Sequence, residues 1–281
     1  MRFGARLAQN MKDFGPLSVG LDPSREVLAH WGLPDEPQGL VALGRAVIDA
    51  AHQSAAAIKP QVSFFERFGA AGIAALELVV KEARSAGLLV IIDAKRGDIG
   101  STMAGYAEAY LVPGAPLECD ALTVSPYLGL EALEPAFEAA AEHGKGLFVL
   151  ALTSNPGGDV VQHSRDADGV AVATHVAARA AHANAGVTPM GDIGLVIGAT
   201  TGPAVATLPV PVAAVNGPML APGVGAQGAT AADLAAVFGD VRGQVLAHQS
   251  RGILMAGPVL EKMRSAIRSA ADDVRLALGV S

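Results

Sequence analysis

The feature that most constrains the fold is a repeated alternation of short apolar runs with alanine-rich helical patterns. Continuous apolar runs are typical of strands buried on both faces of a sheet, as in parallel α/β proteins. The eight runs are PLSVGLD (16–22), AAIKPQV (56–62), GLLVIIDAK (87–95), ALTVSP (121–126), GLFVLALT (146–153), IGLVIGAT (193–200), GPMLAPG (217–223) and VLAHQSRG (245–252). The helical patterns between them include LVALGRAVIDAAHQSA, GIAALELVVKEARSAG and LEALEPAFEAAAEHG, and LEKMRSAIRSAADDVRLAL predicts a long amphipathic helix after the last run.

Eight strand–helix repeats in about 250 residues predict an α/β protein of the (β/α)₈ TIM barrel type, with residues 1–281 as a single domain. A doubly wound sheet is the competing architecture, but it usually has fewer strands and a glycine-rich turn after the first one. Two segments interrupt the pattern, an excursion at 23–39 and a polar loop at 154–169 that is a candidate lid. Pro209 and Pro211 make a full helix after the sixth strand doubtful.

The composition excludes several classes of protein. With 51% hydrophobic and 17% charged residues, the chain is not of the disordered type. The net charge of -7 argues against nucleic acid or an acidic membrane surface as a partner. We expect no membrane span and no signal peptide, because no apolar run is long enough. The single cysteine, Cys119, cannot form an intramolecular disulfide; this suits the cytoplasm, and we expect it to pack near a strand start.

Charged side chains lie at the predicted carboxyl ends of adjacent strands, where barrels place their active sites. Asp22 ends the first strand, Lys59 lies in the second, and the stretch IIDAKRGDIG places Asp93 and Lys95 at the end of the third. Residues two apart in a strand share a face, so Asp93 and Lys95 are expected to point the same way. Ion pairs at the barrel mouth are the structural alternative. Buried pairs are poor stabilisers, which favours a functional role.

Asp98 and the glycine-rich segment PGVGAQG (222–228) carry weaker signals. Asp98 could equally cap the helix that begins near Ile99. The spacing of PGVGAQG matches a dinucleotide motif, but it follows the seventh strand instead of the first. A phosphate site is the better interpretation, because the loops after strands seven and eight often bind phosphate and Arg251 adds a guanidinium there. The alternative is a glycine-rich turn beside a surface arginine.

The histidines and acidic residues predict no metal site. His175 and His182 are seven apart on one predicted helix, and neither a Cys/His cluster nor HExxH is present. The aspartates could in principle hold Mg²⁺, but the lysines interleaved with them would compete with the cation.

The segment Asp93-x-Lys95-x-x-Asp98, followed by Ile99-Gly100-Ser101-Thr102, resembles the catalytic signature of the orotidine 5'-phosphate decarboxylase family. The similarity is to its longer bacterial branch, in which this segment is DAKRGDIG. Further segments agree in order, namely GLDPS (20–24), IKPQVSFFE (58–66), TVSPYLG (123–129), LTSNPGG (152–158), PGVGAQG (222–228) and SRG (250–252). Ser125 departs from the branch, which often has Asn there, so Ser125 is left out of the predicted site.

The resemblance implies a homodimeric barrel that converts orotidine 5'-monophosphate to UMP without a metal or organic cofactor, with active sites at the dimer interface. It implies that Lys59, Asp93, Lys95 and Asp98 form an alternating charge array, with Asp98, Ile99 and Thr102 reaching across the interface. It also implies that Asp22 holds a ribose hydroxyl and Ser154 touches the pyrimidine. The implied phosphate ligands are Gly223, Gly225, Gln227, Arg251 and Gly252.

Two other functions stay open at this point. One is an aldolase-type or decarboxylating lyase on the same barrel, which acts on a sugar phosphate and uses Mg²⁺. The other is a non-catalytic barrel that binds a nucleotide phosphate and would have no need of Lys95.

Overall fold

Eight parallel strands form the centre of the computed structural model, which describes residues 1–224 and 229–280. They are β1 (Leu17–Leu21), β2 (Ala57–Pro60), β3 (Ile91–Arg96), β4 (Ala121–Val124), β5 (Gly146–Leu152), β6 (Ile193–Ile197), β7 (Met219–Pro222) and β8 (Val245–Gln249). Their order is β2-β1-β8-β7-β6-β5-β4-β3. The bridges Ile58–Val90 and Gln61–Asp93 bring the two edges together, which gives the predicted (β/α)₈ barrel. All eight predicted strands are confirmed.

Helices follow the strands in the predicted alternation, and the predicted long helix at the end of the chain is confirmed residue for residue. They are α1 (Phe3–Phe14), α2 (Arg25–His30), α3 (Pro37–Ala51), α4 (Ser63–Glu66), α5 (Gly69–Ser85), α6 (Gly100–Leu111), α7 (Glu134–His143), α8 (Gly158–Gln162), α9 (Val172–Ala183), α10 (Gly202–Thr207), α11 (Ala231–Phe238), α12 (Arg251–Leu254) and α13 (Leu260–Leu278). Within the part of the chain that is described, none of them combines the length and the apolarity that crossing a bilayer requires.

The barrel has two apolar layers, as the prediction of strands buried on both faces requires. Outward-facing strand residues such as Val19 and Ile92 pack against the helices in the larger core. The inner layer is completed by α1, which the sequence did not predict to be a helix and which seals the amino-terminal end of the barrel with Phe3, Leu7 and Met11. Phe3 meets the ring of Phe148 edge to face at 6.0 Å between centroids.

The irregular segments contain short helices. The excursion at 23–39 carries α2, whose amino terminus is capped by the Ser24 hydroxyl. The polar loop at 154–169 carries the exposed α8. After β6 the chain makes only the six-residue α10 and a 3₁₀ turn at Val212–Ala214, so the doubt about a full helix there is confirmed. Cys119 is fully buried just before β4, as expected.

Ion pairs surround the strand beginnings. Glu118 lies 2.5 Å from both Arg84 and Lys145 and accepts the backbone N–H of Gly114 at 2.8 Å. Asp120, only 1% exposed, pairs with Arg6 of α1 at 2.8 Å. These contacts lie at the opposite end of the barrel from the strand carboxyl ends, so they serve stability instead of the predicted site.

Candidate active site

Three charged side chains meet at the carboxyl ends of β2 and β3, as the sequence predicted. Asp93 lies between two lysines: its Oδ2 contacts Lys59 Nζ, and its Oδ1 lies 2.6 Å from Lys95 Nζ. Lys59 is only 4% exposed, whereas nearly half of the Lys95 side chain is open to the barrel mouth. The cluster thus presents one carboxylate and two ammonium groups, with the open ammonium facing the mouth.

The side chains of Asp93 and Lys95 point the same way, as predicted, but a bulge in β3 brings them together instead of the regular alternation of a strand. The pairing of β3 with β4 passes from Ile92–Leu122 directly to Arg96–Val124, which leaves residues 93–95 opposite Thr123 alone. Lys95 has a φ of 48°, in the left-handed region that residues other than glycine rarely adopt. A bulge of this kind re-aims a side chain, and here it turns the Lys95 ammonium back towards Asp93.

Thr123 of β4 holds the bulge, and sequence reasoning missed it. Its hydroxyl accepts the backbone N–H of Lys95 at 2.9 Å and donates to Asp93 Oδ1 at 2.9 Å. The inward position of Thr123 in the TVSPYLG segment was the available signal, because its neighbours Leu122 and Val124 belong to the outer apolar core.

The electrostatics keep Asp93 ionised. Burial raises the pKa of Asp93, but the ammonium groups of Lys59 and Lys95 outweigh it, so the pKa lies well below its usual range. His248 of β8 is kept uncharged instead. Burial and then the Lys59 ammonium hold its pKa well below the usual range, so the imidazole is neutral at pH 7. The cluster therefore keeps a net positive charge, which suits an anionic ligand.

Enclosed polar atoms line the neighbouring strands β1 and β8. Ser18 Oγ, Asp22 Oδ1, His248 Nδ1 and Ser250 Oγ have no hydrogen-bond partner among the described residues. Gly20 makes room for this wall, since a Cβ there would lie 2.5 Å from Ser250 Cβ and 2.8 Å from His248 Cε1. Buried polar atoms are normally paired, so this wall is suited to hydroxyl groups or water. Of these residues, the sequence predicted only Asp22.

The predicted residues after β3 do not join the charge cluster within one chain. Asp98 Oδ1 accepts the backbone N–H of Ile99 at 2.8 Å, and no ion pair of Asp98 is found among the described residues. Ile99 is 61% exposed and caps α6, on which Thr102 is also exposed. Within a single chain, three of the four predicted charged residues form the cluster, and Asp98 lies outside it.

Only some of the predicted phosphate ligands lie among the described residues. Gly223 begins the turn after β7 with a φ of 93°, whereas Gly225 and Gln227 lie outside the described residues. Arg251 lies directly beyond the end of β8, as predicted, where it begins the short helix α12 and is followed by Gly252. Its guanidinium pairs with Glu26 of α2 at 2.6 Å in an exposed position. Ser154 is exposed on the loop that follows β5.

Among the described residues, acidic and histidine side chains do not gather into a metal-binding group. Across residues 1–224 and 229–280, no three of them are arranged to hold a metal ion. His175 of α9 instead pairs with Asp166 at 2.6 Å on the surface.

Eight parallel strands with opposed charges at their carboxyl ends are typical of a barrel enzyme, the class in which this mouth holds the active site. More particularly, the chain belongs to the orotidine 5'-phosphate decarboxylase / HUMPS family, whose model matches residues 15–266. It is 52% identical over 279 residues to an orotidine 5'-phosphate decarboxylase of Streptomyces coelicolor, covering 99% of both chains.

Solved structures agree with this assignment. The crystal structure of a Streptomyces avermitilis protein, described provisionally as an orotidine 5'-phosphate decarboxylase, superposes with a TM-score of 0.94 at 52% identity and covers 99% of this chain and 96% of that one. The OMP decarboxylase of Leishmania donovani superposes with a TM-score of 0.79 at 32% identity, with both chains covered in full.

Proposed function

We propose that this protein decarboxylates orotidine 5'-monophosphate to UMP and CO₂, the last step of de novo pyrimidine nucleotide synthesis. The observation that carries the proposal is the Lys59–Asp93–Lys95 cluster at the mouth of a barrel whose relatives bear this activity in their names. The same comparisons give no support to a sugar-phosphate aldolase or to a non-catalytic phosphate-binding barrel.

The chemistry explains why fixed charges are needed. When the bond between C6 and the carboxylate breaks, the electron pair stays on C6 in the ring plane, where no adjacent carbonyl can accept it. Preorganised charge must then lower the barrier. The Lys95 ammonium stabilises this pair and donates its proton to C6, and solvent then reprotonates the amine. Asp93 keeps Lys95 charged and aimed, and Lys59 balances Asp93 so that an anionic substrate is not repelled.

The rest of the substrate is held by groups around this cluster. Asp22 holds a ribose hydroxyl, a role supported by its enclosed and unpaired Oδ1. Ser154 contacts the pyrimidine. The phosphate is bound by Arg251 and the loop of Gly223, Gly225 and Gln227, with Gly252 beside them, in the usual phosphate position of a barrel. Binding the phosphate far from C6 supplies energy for closing the 154–169 loop.

A second copy of the chain completes the site in this proposal. Asp98, Ile99 and Thr102 would enter the partner's active site, so that the working enzyme is a homodimer with its sites at the interface. The exposed position of Ile99, together with that of Tyr127 (75% exposed) and Leu128 (54% exposed) on the neighbouring loop, supports an interface here. We further propose that residues 1–281 act as one domain in the cytoplasm, with neither nucleic acid nor membrane as a partner.

The test is to mix the purified protein with orotidine 5'-monophosphate and follow the change in ultraviolet absorbance as UMP forms. The proposal includes no metal or organic cofactor, so activity should survive EDTA and dialysis. Activity lost with EDTA and restored by Mg²⁺ would favour a metal-dependent lyase. Binding of the nucleotide without turnover would favour a regulatory barrel.

A further inference from the structure

We propose that Arg96 is a positioning residue that holds Lys95 in the geometry needed for proton donation, an inference that rests on the proposed function. Arg96 directly follows Lys95, yet its guanidinium lies among residues of other elements. Its Nη2 donates to Glu66 Oε1 of α4 at 2.7 Å and to the Tyr110 hydroxyl of α6 at 3.2 Å. The side chain is 24% exposed.

Two aromatic rings complete the surroundings of the guanidinium. Its carbon lies 5.4 Å from the ring centre of Tyr106 and 5.9 Å from that of Tyr110. These tyrosines are four residues apart, so they share one face of α6. A planar guanidinium suits hydrogen bonding in its plane and aromatic contact over its faces, and an ammonium cannot reproduce both. Arg96 thereby fastens the end of β3 to α4 and α6 together.

The backbone of Arg96 ends the bulge that aims Lys95. Its carbonyl accepts the N–H of Ser125 at 2.8 Å, and the residue pairs with Val124 of β4. A left-handed conformation in a residue other than glycine persists only where its surroundings fix it. Thr123 holds the backbone N–H of Lys95, and the anchored Arg96 holds the backbone on the carboxyl side of Lys95. Without the Arg96 anchor, the backbone of Lys95 can relax towards an extended conformation.

The position of Glu66 extends this anchor to the second lysine. Glu66 ends α4, which begins shortly after the strand that carries Lys59. One guanidinium therefore connects the segments that follow both lysines. Loss of this connection should displace the Lys95 ammonium relative to Asp93 and leave the phosphate loops unchanged, because those follow β7 and β8 on another part of the barrel rim.

The experiment compares Arg96→Met and Arg96→Lys with Arg179→Met in the full-length protein. Arg179 is the matched control: it is also 24% exposed, pairs with Glu134 at 2.8 Å and lies 4.1 Å from the Phe137 ring centre, far from β3. Both Arg96 variants should lower kcat about 10- to 100-fold with KM within about threefold of the wild type, since small misplacements of a reacting group cost that much. Arg96→Lys should not restore the rate. Arg179→Met should change only the thermal midpoint.

Three results would overturn the inference: an unchanged kcat in the Arg96 variants, a full rescue by lysine, or an equal loss in Arg179→Met. If Arg96→Met does not fold, the milder variants Glu66→Gln and Tyr110→Phe test the inference. Each must lower kcat and leave KM unchanged. An inactive wild-type enzyme would instead refute the proposed function itself, so the two failures are distinguishable.

Discussion

The hydroxyl of Thr123 accepts the backbone N–H of Lys95 at 2.9 Å. The same hydroxyl donates to Asp93, so one threonine joins the backbone of the proposed proton donor to the carboxylate that pairs with its ammonium. A hydroxyl has one proton to donate, and both of these bonds therefore have a fixed direction. Hydrogen bonds and an ion pair therefore link the backbone of the lysine, the partly buried carboxylate and the threonine hydroxyl.

Thr123→Val keeps the shape of the side chain but removes both hydrogen bonds. We expect kcat to fall about 10- to 100-fold, because the Lys95 amide loses its partner and the bulge can relax. The free energy of unfolding should fall by about 1–3 kcal/mol, the usual cost of an unpaired buried donor. Steady-state kinetics and urea unfolding measure the two effects. Thr123→Ser is the control and should keep most of the rate; a valine variant with normal kcat would contradict this role.

Lys95→Ala removes the proposed proton donor. The turnover number should fall at least about a thousandfold, which is the size of effect seen when one preorganised electrostatic group is removed. The fold and the dimer should persist, because the Lys95 side chain is half exposed. Steady-state kinetics measure the turnover, and light scattering measures whether the dimer persists. Lys81→Ala, on the exposed face of α5, should leave kcat unchanged, and a Lys95→Ala enzyme of similar activity would rule out proton donation by Lys95.

Arg251→Ala should act through the phosphate of the substrate. The exposed pair with Glu26 is worth less than about 1 kcal/mol, so a phosphate can displace that carboxylate. We expect kcat/KM to fall about 10- to 100-fold with the nucleotide and much less with the phosphate-free nucleoside.

Glu26→Gln is the matched control for the phosphate assignment. It frees the guanidinium without removing it, so KM for the nucleotide should stay the same or decrease. Equal losses for nucleotide and nucleoside in Arg251→Ala would show that Arg251 acts on something other than the phosphate.

The sequence predicted the barrel because apolar runs report burial on both faces of a strand, and this signal is local. It also predicted Lys59, Asp93 and Lys95, since charged residues in such runs have few structural explanations. The bulge and the role of Thr123 were missed because they arise from the pairing of β3 with β4, which no periodicity records. Helix α1 was missed because its apolar side becomes buried only against the open end of the assembled barrel, where Phe3 packs.

Glu118, at the end of the barrel opposite the proposed active site, offers a test of stability that is separate from catalysis. Burial raises its pKa, but hydrogen bonds from Arg84 and Lys145 outweigh this and lower the pKa to about 2. Its side chain is 15% exposed, and that of Lys145 only 7%. Loss of the Glu118 charge would leave this buried ammonium without its partner, which is costly.

Glu118→Gln should therefore lower the free energy of unfolding by roughly 2–3 kcal/mol at pH 7. Because the folded-state pKa lies below the unfolded value of about 4.3, the wild-type advantage is fully present above pH 5 and is lost as the pH falls towards 2. Urea unfolding at pH 7, 5, 4 and 3 should show the gap between wild type and variant narrowing over that window. Glu138→Gln, on the exposed face of α7, should show little gap at any of these pH values. A gap for Glu118→Gln that stays constant from pH 7 to pH 3 would mean that its carboxylate charge does not stabilise the fold.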